Sequence, residues 1–137
     1  MNRVIITGHP MTGKSTNATK FNLPVFCTDP KSKVREPQPN VTYMPEGLTW
    51  TEQSDYAIQN WMNGQKWCIE GVGAVRLLRK WASLYPGVMP ADQIYFLHNS
   101  NPQDKHLSMT KAVNSIWGQI SGNFAAITQN YYEARGR

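Results

Sequence analysis

The chain has 137 residues, 40% of them hydrophobic and 17% charged, with a formal charge of +5. That length suits one domain spanning residues 1–137; no apolar run nears the ~20 residues of a membrane span, and a strand expected from residue 3 leaves no room for a signal peptide. Lys and Arg are dispersed, with no basic run interleaved with aromatics, which favours a small polyanionic ligand over an extended nucleic-acid surface.

Arg3–Thr7 is a short apolar, β-branched run, predicted to be the first strand. It leads into Gly8-His9-Pro10-Met11-Thr12-Gly13-Lys14-Ser15, which fits the pattern G-x-x-x-x-G-K-[ST]. Gly8 and Gly13 permit backbone angles closed to other residues, so the loop N–H groups turn inward as an anion nest. In that pattern Lys14 reaches the β- and γ-phosphates of a nucleoside triphosphate and the Ser15 hydroxyl ligates Mg2+. A helix opening near Gly13 adds its positive dipole end beneath the same anion. The nucleotide-binding stretch runs from Gly8 through Pro10, Met11 and Thr12 to Thr16, with His9 contributing its main chain rather than a catalytic group.

A short helix is expected from Ser15 to about Phe21, stopped by Asn22 and Pro24. Leu23–Cys27 follows as a buried strand that ends on Thr28-Asp29-Pro30, a turn signal carrying a carboxylate. Residues 30–47 are polar and proline-rich, with a brief strand candidate at Val41–Met44; that length suggests a binding loop or flap. Thr49-x-x-Glu52 is a capping box opening a helix to about Met62, terminated by Asn63-Gly64. Lys66–Glu70 is the third strand, and Gly71-Val72-Gly73 turns the chain into a helix over Ala74–Tyr85. Gln93–Leu97 is the fourth, running into the polar turn His98-Asn99-Ser100-Asn101-Pro102. From Val113 through Ile116, Trp117, Ile120, Phe124 and Ile127 to Tyr131 the apolar spacing traces one helical stripe, weakened at Gly118 and Gly122, before a frayed Arg135-Gly136-Arg137 tail.

Strands alternating with helices predict an α/β domain: three α/β/α layers around a small, mostly parallel sheet of four to five strands. Such sheets bind ligands beyond the carboxyl ends of their strands. The polar candidates fall there: Gly8–Ser15, Asp29, Glu70, and His98 with Asn99. Glu70 ends an apolar run, as an acid that holds Mg2+ or orders its water does; the alternative is an ordinary strand-end carboxylate. Asp29 either takes a proton from a substrate hydroxyl or is the turn residue before Pro30. Arg76, in the first turn of the helix after Glu70, is placed to reach a phosphate with its planar guanidinium, whereas Arg79 and Lys80 suit a solvated face. Lys105 and Lys111 either close over the triphosphate as a lid or belong to a solvated helix start. Trp50, Trp61, Trp67, Trp81 and Trp117 suit the core or its edge, though any of them, or Tyr43, can stack on a base. Cys27 and Cys68 lie in strand-like runs, as buried free thiols of a cytoplasmic protein do.

Gly8–Ser15 makes the chain resemble the P-loop NTPase superfamily. With Thr28-Asp29 and Glu70-Gly71-Val72-Gly73-Ala74-Val75-Arg76, it is most similar to the small nucleotide-kinase-like group, nucleoside monophosphate and polynucleotide kinases included, and to short P-loop proteins of phage and prophage origin. It departs from the kinases in having Glu rather than Asp at position 70, lysines where they carry an Arg-rich lid, and no evident further C-terminal strand. The resemblance implies an enzyme that binds Mg·ATP in the cytoplasm, a host's if phage-encoded, and transfers the γ-phosphate to a nucleotide or nucleic-acid acceptor or hydrolyses it. Lys14, Glu70, Asp29 and Arg76 are its expected catalytic residues, Lys111 joins the nucleotide-binding set, and Ser15 with Glu70 holds the metal. The alternatives are an ATPase in a DNA-processing or packaging assembly and a non-catalytic nucleotide-binding module.

Overall fold

Side chains alternate across a strand with period two, and here the alternation sorts the apolar residues into two layers. The computed structural model describes residues 2–124 and the backbone of residues 127–130. Six strands, β1 (Arg3–Gly8), β2 (Val25–Pro30), β3 (Val41–Met44), β4 (Trp67–Glu70), β5 (Gln93–His98) and β6 (Ile127–Asn130), form one sheet in the order β3-β2-β4-β1-β5-β6. Every pairing is parallel. On one face Val4, Ile6, Val25, Cys68 and Leu97 pack with Ala18 of the short helix α1 (Lys14–Ala18). On the other, Ile5, Phe26, Trp67, Ile69, Ile94 and Phe96 pack against α2 (Trp50–Ala57), α3 (Ala74–Leu84) and α4 (Leu107–Ile120). Each large apolar side chain so buried contributes about 1.5–3 kcal/mol. The fold is the expected α/β, three-layer class.

The connections place the site. The chain leaves β1 towards β2 on one side of the sheet order and leaves its neighbour β4 towards β5 on the other. The carboxyl ends of β1 and β4 therefore face a crevice at a topological switch point. The Thr49–Glu52 capping box forms in full, with Glu52 N–H on Thr49 Oγ1 at 3.2 Å and Thr49 N–H on Glu52 Oε1 at 2.9 Å. Past Ala57 the helix widens into a π-helical turn over Ile58–Met62, the stretch expected to finish as α-helix.

Three expectations need correction. The brief strand expected at Val41–Met44 forms, as an edge strand paired with β2, and it leaves residues 30–47 as a short helical turn (Lys31–Lys33), an irregular link with bends and a turn, and a strand rather than one binding loop or flap. The last helix stops at Ile120; a single 3-10 turn over Ser121–Asn123 follows, and Phe124 is extended and buried. Gly118 and Gly122 lower helix propensity, and Ile127 goes into β6, which pairs the outer edge of β5 where a strand's polar groups would otherwise lack partners. The further C-terminal strand is thus present, and the sheet has six strands against the four to five expected. Tyr131 and the Arg135–Arg137 tail lie outside the described residues.

Candidate functional site

Gly8 ends β1 with φ 132, and a Cβ there would lie 2.2 Å from the Leu97 carbonyl oxygen, so the chain turns against β5 as only glycine permits. His9 N–H donates to that same carbonyl at 3.0 Å. Met11 sits in the left-handed region with φ 59, and Gly13, with φ 77, is the N-cap of α1. Among the described residues the amides of Met11 through Thr16 donate to no backbone carbonyl; the first to close is Asn17 N–H on Gly13 O at 2.9 Å. A run of unpaired amides through a left-handed turn into a helix is an anion-binding concavity.

Lys14 crosses this loop. Only 8% exposed, its ammonium donates to the His9 carbonyl and to Thr12 Oγ1 (3.2 Å), while the Thr12 hydroxyl donates to the His9 carbonyl at 2.8 Å. Burial lowers the Lys14 pKa to about 8, against the upward pull of the Glu70 and Asp29 carboxylates. Glu70, 3% exposed, accepts from Ser15 Oγ at 3.1 Å. Its carboxyl is raised above the usual range by burial, opposed by the Cys27 thiol that hydrogen-bonds it, Lys14 and Ser15. Asp29 is raised by burial as well, with Lys14 and Lys33 drawing it down. Burial and these acids in turn push up the Cys27 thiol. Parallel register explains the convergence: Cys27 stands opposite Glu70, which stands opposite Ile6, two residues before Gly8.

The turn after Glu70 is fastened on both sides. Gly71 N–H donates to Ile6 O at 3.0 Å and Thr7 Oγ1 donates to Gly71 O at 2.9 Å. Gly71 has φ 134, and a Cβ there would meet Thr28 Oγ1 at 2.1 Å. These contacts hold β4's acid at a set height beside the loop.

His9 does more than its main chain suggests. Its ring is 1% exposed; Nδ1 accepts from Asn99 N–H at 2.9 Å, so Nε2 carries the proton and donates to Asn114 Oδ1 at 2.6 Å. Burial, first, and the neighbouring His98 and Lys14 lower its pKa, and it remains neutral. The ring is a strut from the loop to α4. Lys111 lies exposed on that helix, one turn before Asn114 and on the same face. Lys105 is exposed and His98 half-buried beside the His9 ring, centroids 4.7 Å apart.

Arg76 packs on Trp50. Its guanidinium lies 3.8 Å from the centroid of the Trp50 ring. Of the five tryptophans, Trp67 is core, Trp61 stacks on Phe26 and Trp117 on Phe96, Trp81 lies against Tyr85, and Trp50 alone is largely exposed, at 63%. Asn114 and Cys27 carry no local pattern that marks them; only the register and the helix–loop contact bring them to the site.

Among the described residues no group of three or more His, Cys, Asp and Glu is placed to hold a metal. The Ser15 hydroxyl and Glu70 carboxylate, 3.1 Å apart, are hard oxygen donors of the kind Mg2+ takes from a protein while keeping water and phosphate ligands. No helix among the described residues is long and apolar enough to cross a membrane. No protein-family model matches this chain, and no curated protein matches it.

Proposed function

We propose that the chain is a P-loop protein that binds Mg·ATP and transfers its γ-phosphate to an acceptor. What carries this reading is the loop itself: a run of unpaired amides from Met11 to Thr16 with the Lys14 ammonium lying across it. The amides would receive the β-phosphate oxygens. Lys14, exchanging its internal bonds to His9 and Thr12 for phosphate oxygens, would lie between the β- and γ-phosphates. Ser15 and Glu70 would hold Mg2+, which when bound supplies charge neutralisation on those phosphates. Glu70, raised in pKa, is suited to order water or accept a proton from an attacking hydroxyl, and Asp29 is the second carboxylate within reach of the same charges. Lys111, on the helix His9 ties to the loop, would add positive charge near the transferring group. Catalysis would then be positioning plus electrostatics.

The test is ADP production by pure protein, alone and with a panel of mononucleotides and 5′-hydroxyl DNA. Acceptor-dependent ADP is expected. ADP released equally without acceptor would make the chain a hydrolase, and a Lys14→Ala protein that kept full ATP affinity and turnover would end the proposal.

A further inference from the structure

We propose that His9 is a positioning residue: its neutral ring clamps both ends of the β5–α4 connection to the phosphate loop, and Lys111 adds to ATP binding only while that clamp is closed. This rests on reading the Gly8–Ser15 loop as the ATP site.

The main chain of His9 belongs to the loop, where its carbonyl accepts from the Lys14 ammonium and the Thr12 hydroxyl. Its ring leaves the loop and meets two elements. Nδ1 accepts from Asn99 N–H at 2.9 Å, just past the end of β5, and Nε2 donates to Asn114 Oδ1 at 2.6 Å, on α4. Phe96 meets the ring edge-on with centroids 5.5 Å apart, and at 1% exposure of the residue solvent has no ready access to either nitrogen. Between Asn99 and Asn114 the chain carries Lys105 and Lys111, both exposed. Lys111 lies one helical turn before Asn114, so whatever fixes Asn114 fixes the face that presents this lysine.

Apolar packing alone does not supply that direction. Val113, Ile116 and Ile120 bury α4 on the sheet, but burial is non-directional, whereas a hydrogen bond weakens steeply as its angle departs from linear. On ATP binding, His9 would release Lys14 from its carbonyl and hold Lys111 in place through its ring.

The clamp is conditional on protonation. A neutral imidazole has one donor and one acceptor, and both are in use here. A second proton would sit on Nδ1, facing the Asn99 N–H. The ring would have to shift towards the Asn99 carbonyl, 3.3 Å from Nδ1, and so draw Nε2 off Asn114. The titratable groups that face the ring are His98 at the end of β5, centroids 4.7 Å apart, and Lys14 on α1; α4 presents the uncharged Asn114, with Lys111 exposed one turn before it. Burial first, then His98 and Lys14, oppose the second proton.

Calorimetry of Mg·ATP binding to the full chain at pH 7, in a double-mutant cycle of Lys111→Met and Asn114→Ala, tests the clamp. Lys111→Met should weaken ATP roughly fivefold in the otherwise unchanged protein and less than about twofold beside Asn114→Ala, a coupling that independent sites do not show. Asn114 is exposed and alanine favours the helix, so the cycle uses variants that fold. His9→Gln, whose amide N–H falls near the Nε2 position, should keep the Lys111 effect. Long-range proton–nitrogen spectra of the ring give a reading without ATP: Nε2 protonated and Nδ1 bare at pH 7. Asn114→Asp, which sets a carboxylate against Nε2–H, should raise the pH at which the ring takes its second proton. Unchanged ATP affinity in Lys111→Met, equal losses with and without Asn114, or a proton on Nδ1 at pH 7 overturns the inference. ATP binding with additive losses sinks this inference alone; no ATP binding by the wild-type protein sinks the reading of the loop and the inference with it.

Discussion

The end of β2 separates two regions that treat buried polar groups in opposite ways. On the loop side, Lys14, Glu70, Ser15 and Thr12 are paired with one another or with the His9 carbonyl, so the charges are buried but answered. On the opposite face of the sheet, Thr28 is buried with no hydrogen-bond partner among the described residues, and the Arg76 guanidinium lies on the exposed Trp50 ring. The two threonines Thr7 and Thr28 show the contrast most directly: both are buried, but Thr7 donates to Gly71 O and Thr28 has no partner among the described residues. A self-satisfied site must exchange internal bonds for ligand bonds, whereas an orphaned hydroxyl gains a bond it never had.

The largest expected effect falls on the loop side. Lys14→Met should weaken ATP roughly 100-fold, the loss of about two charge-assisted hydrogen bonds, as measured by calorimetry; an unchanged affinity would mean the ammonium serves only the His9 carbonyl. Glu70→Gln should lower ADP production by about 100-fold or more while raising stability at pH 7 by ~1 kcal/mol. The sign follows from burial: a carboxyl whose folded pKa is raised contributes stability below its unfolded value and loses it as pH rises through the folded one. The gain in the Gln variant should therefore shrink as denaturation is repeated at lower pH, towards the ordinary carboxylate range.

A pH series sharpens the same comparison. With Lys14 lowered to about 8, ATP affinity should fall above that pH by up to about tenfold per unit. Lys14's contribution to stability of the ligand-free protein moves the other way, rising from about pH 8 to the unfolded value of 10.5, because the unfolded chain binds the extra proton there. The smallest effects belong to the threonine pair. Thr7→Val should cost about 1 kcal/mol in denaturant unfolding by stranding the Gly71 carbonyl, and Thr28→Val should be neutral or stabilising by a similar amount. Equal losses at both positions would remove the distinction drawn here.

Local chemistry made much of this molecule legible. A β-branched run before Gly8, a capping box at Thr49 and an apolar triplet before Glu70 each depend on neighbours within a few residues, and each forms where expected. The end of the last helix was not legible, because the apolar stripe continues through Phe124 and Ile127 whether the chain is helical or extended. Pairing along the free edge of β5, a contact distant in sequence, selects the strand.

The amino-acid sequence by itself determined the α/β class and the glycine-rich turn at the tip of β1, since backbone freedom and strand propensity are properties of adjacent residues. Only the tertiary structure decided that Glu70 meets Ser15, that His9 props the loop on Asn114, and that Arg76 lies on Trp50 instead of over the loop. Those contacts depend on strand order and register, which are settled by burying both faces of the sheet at once.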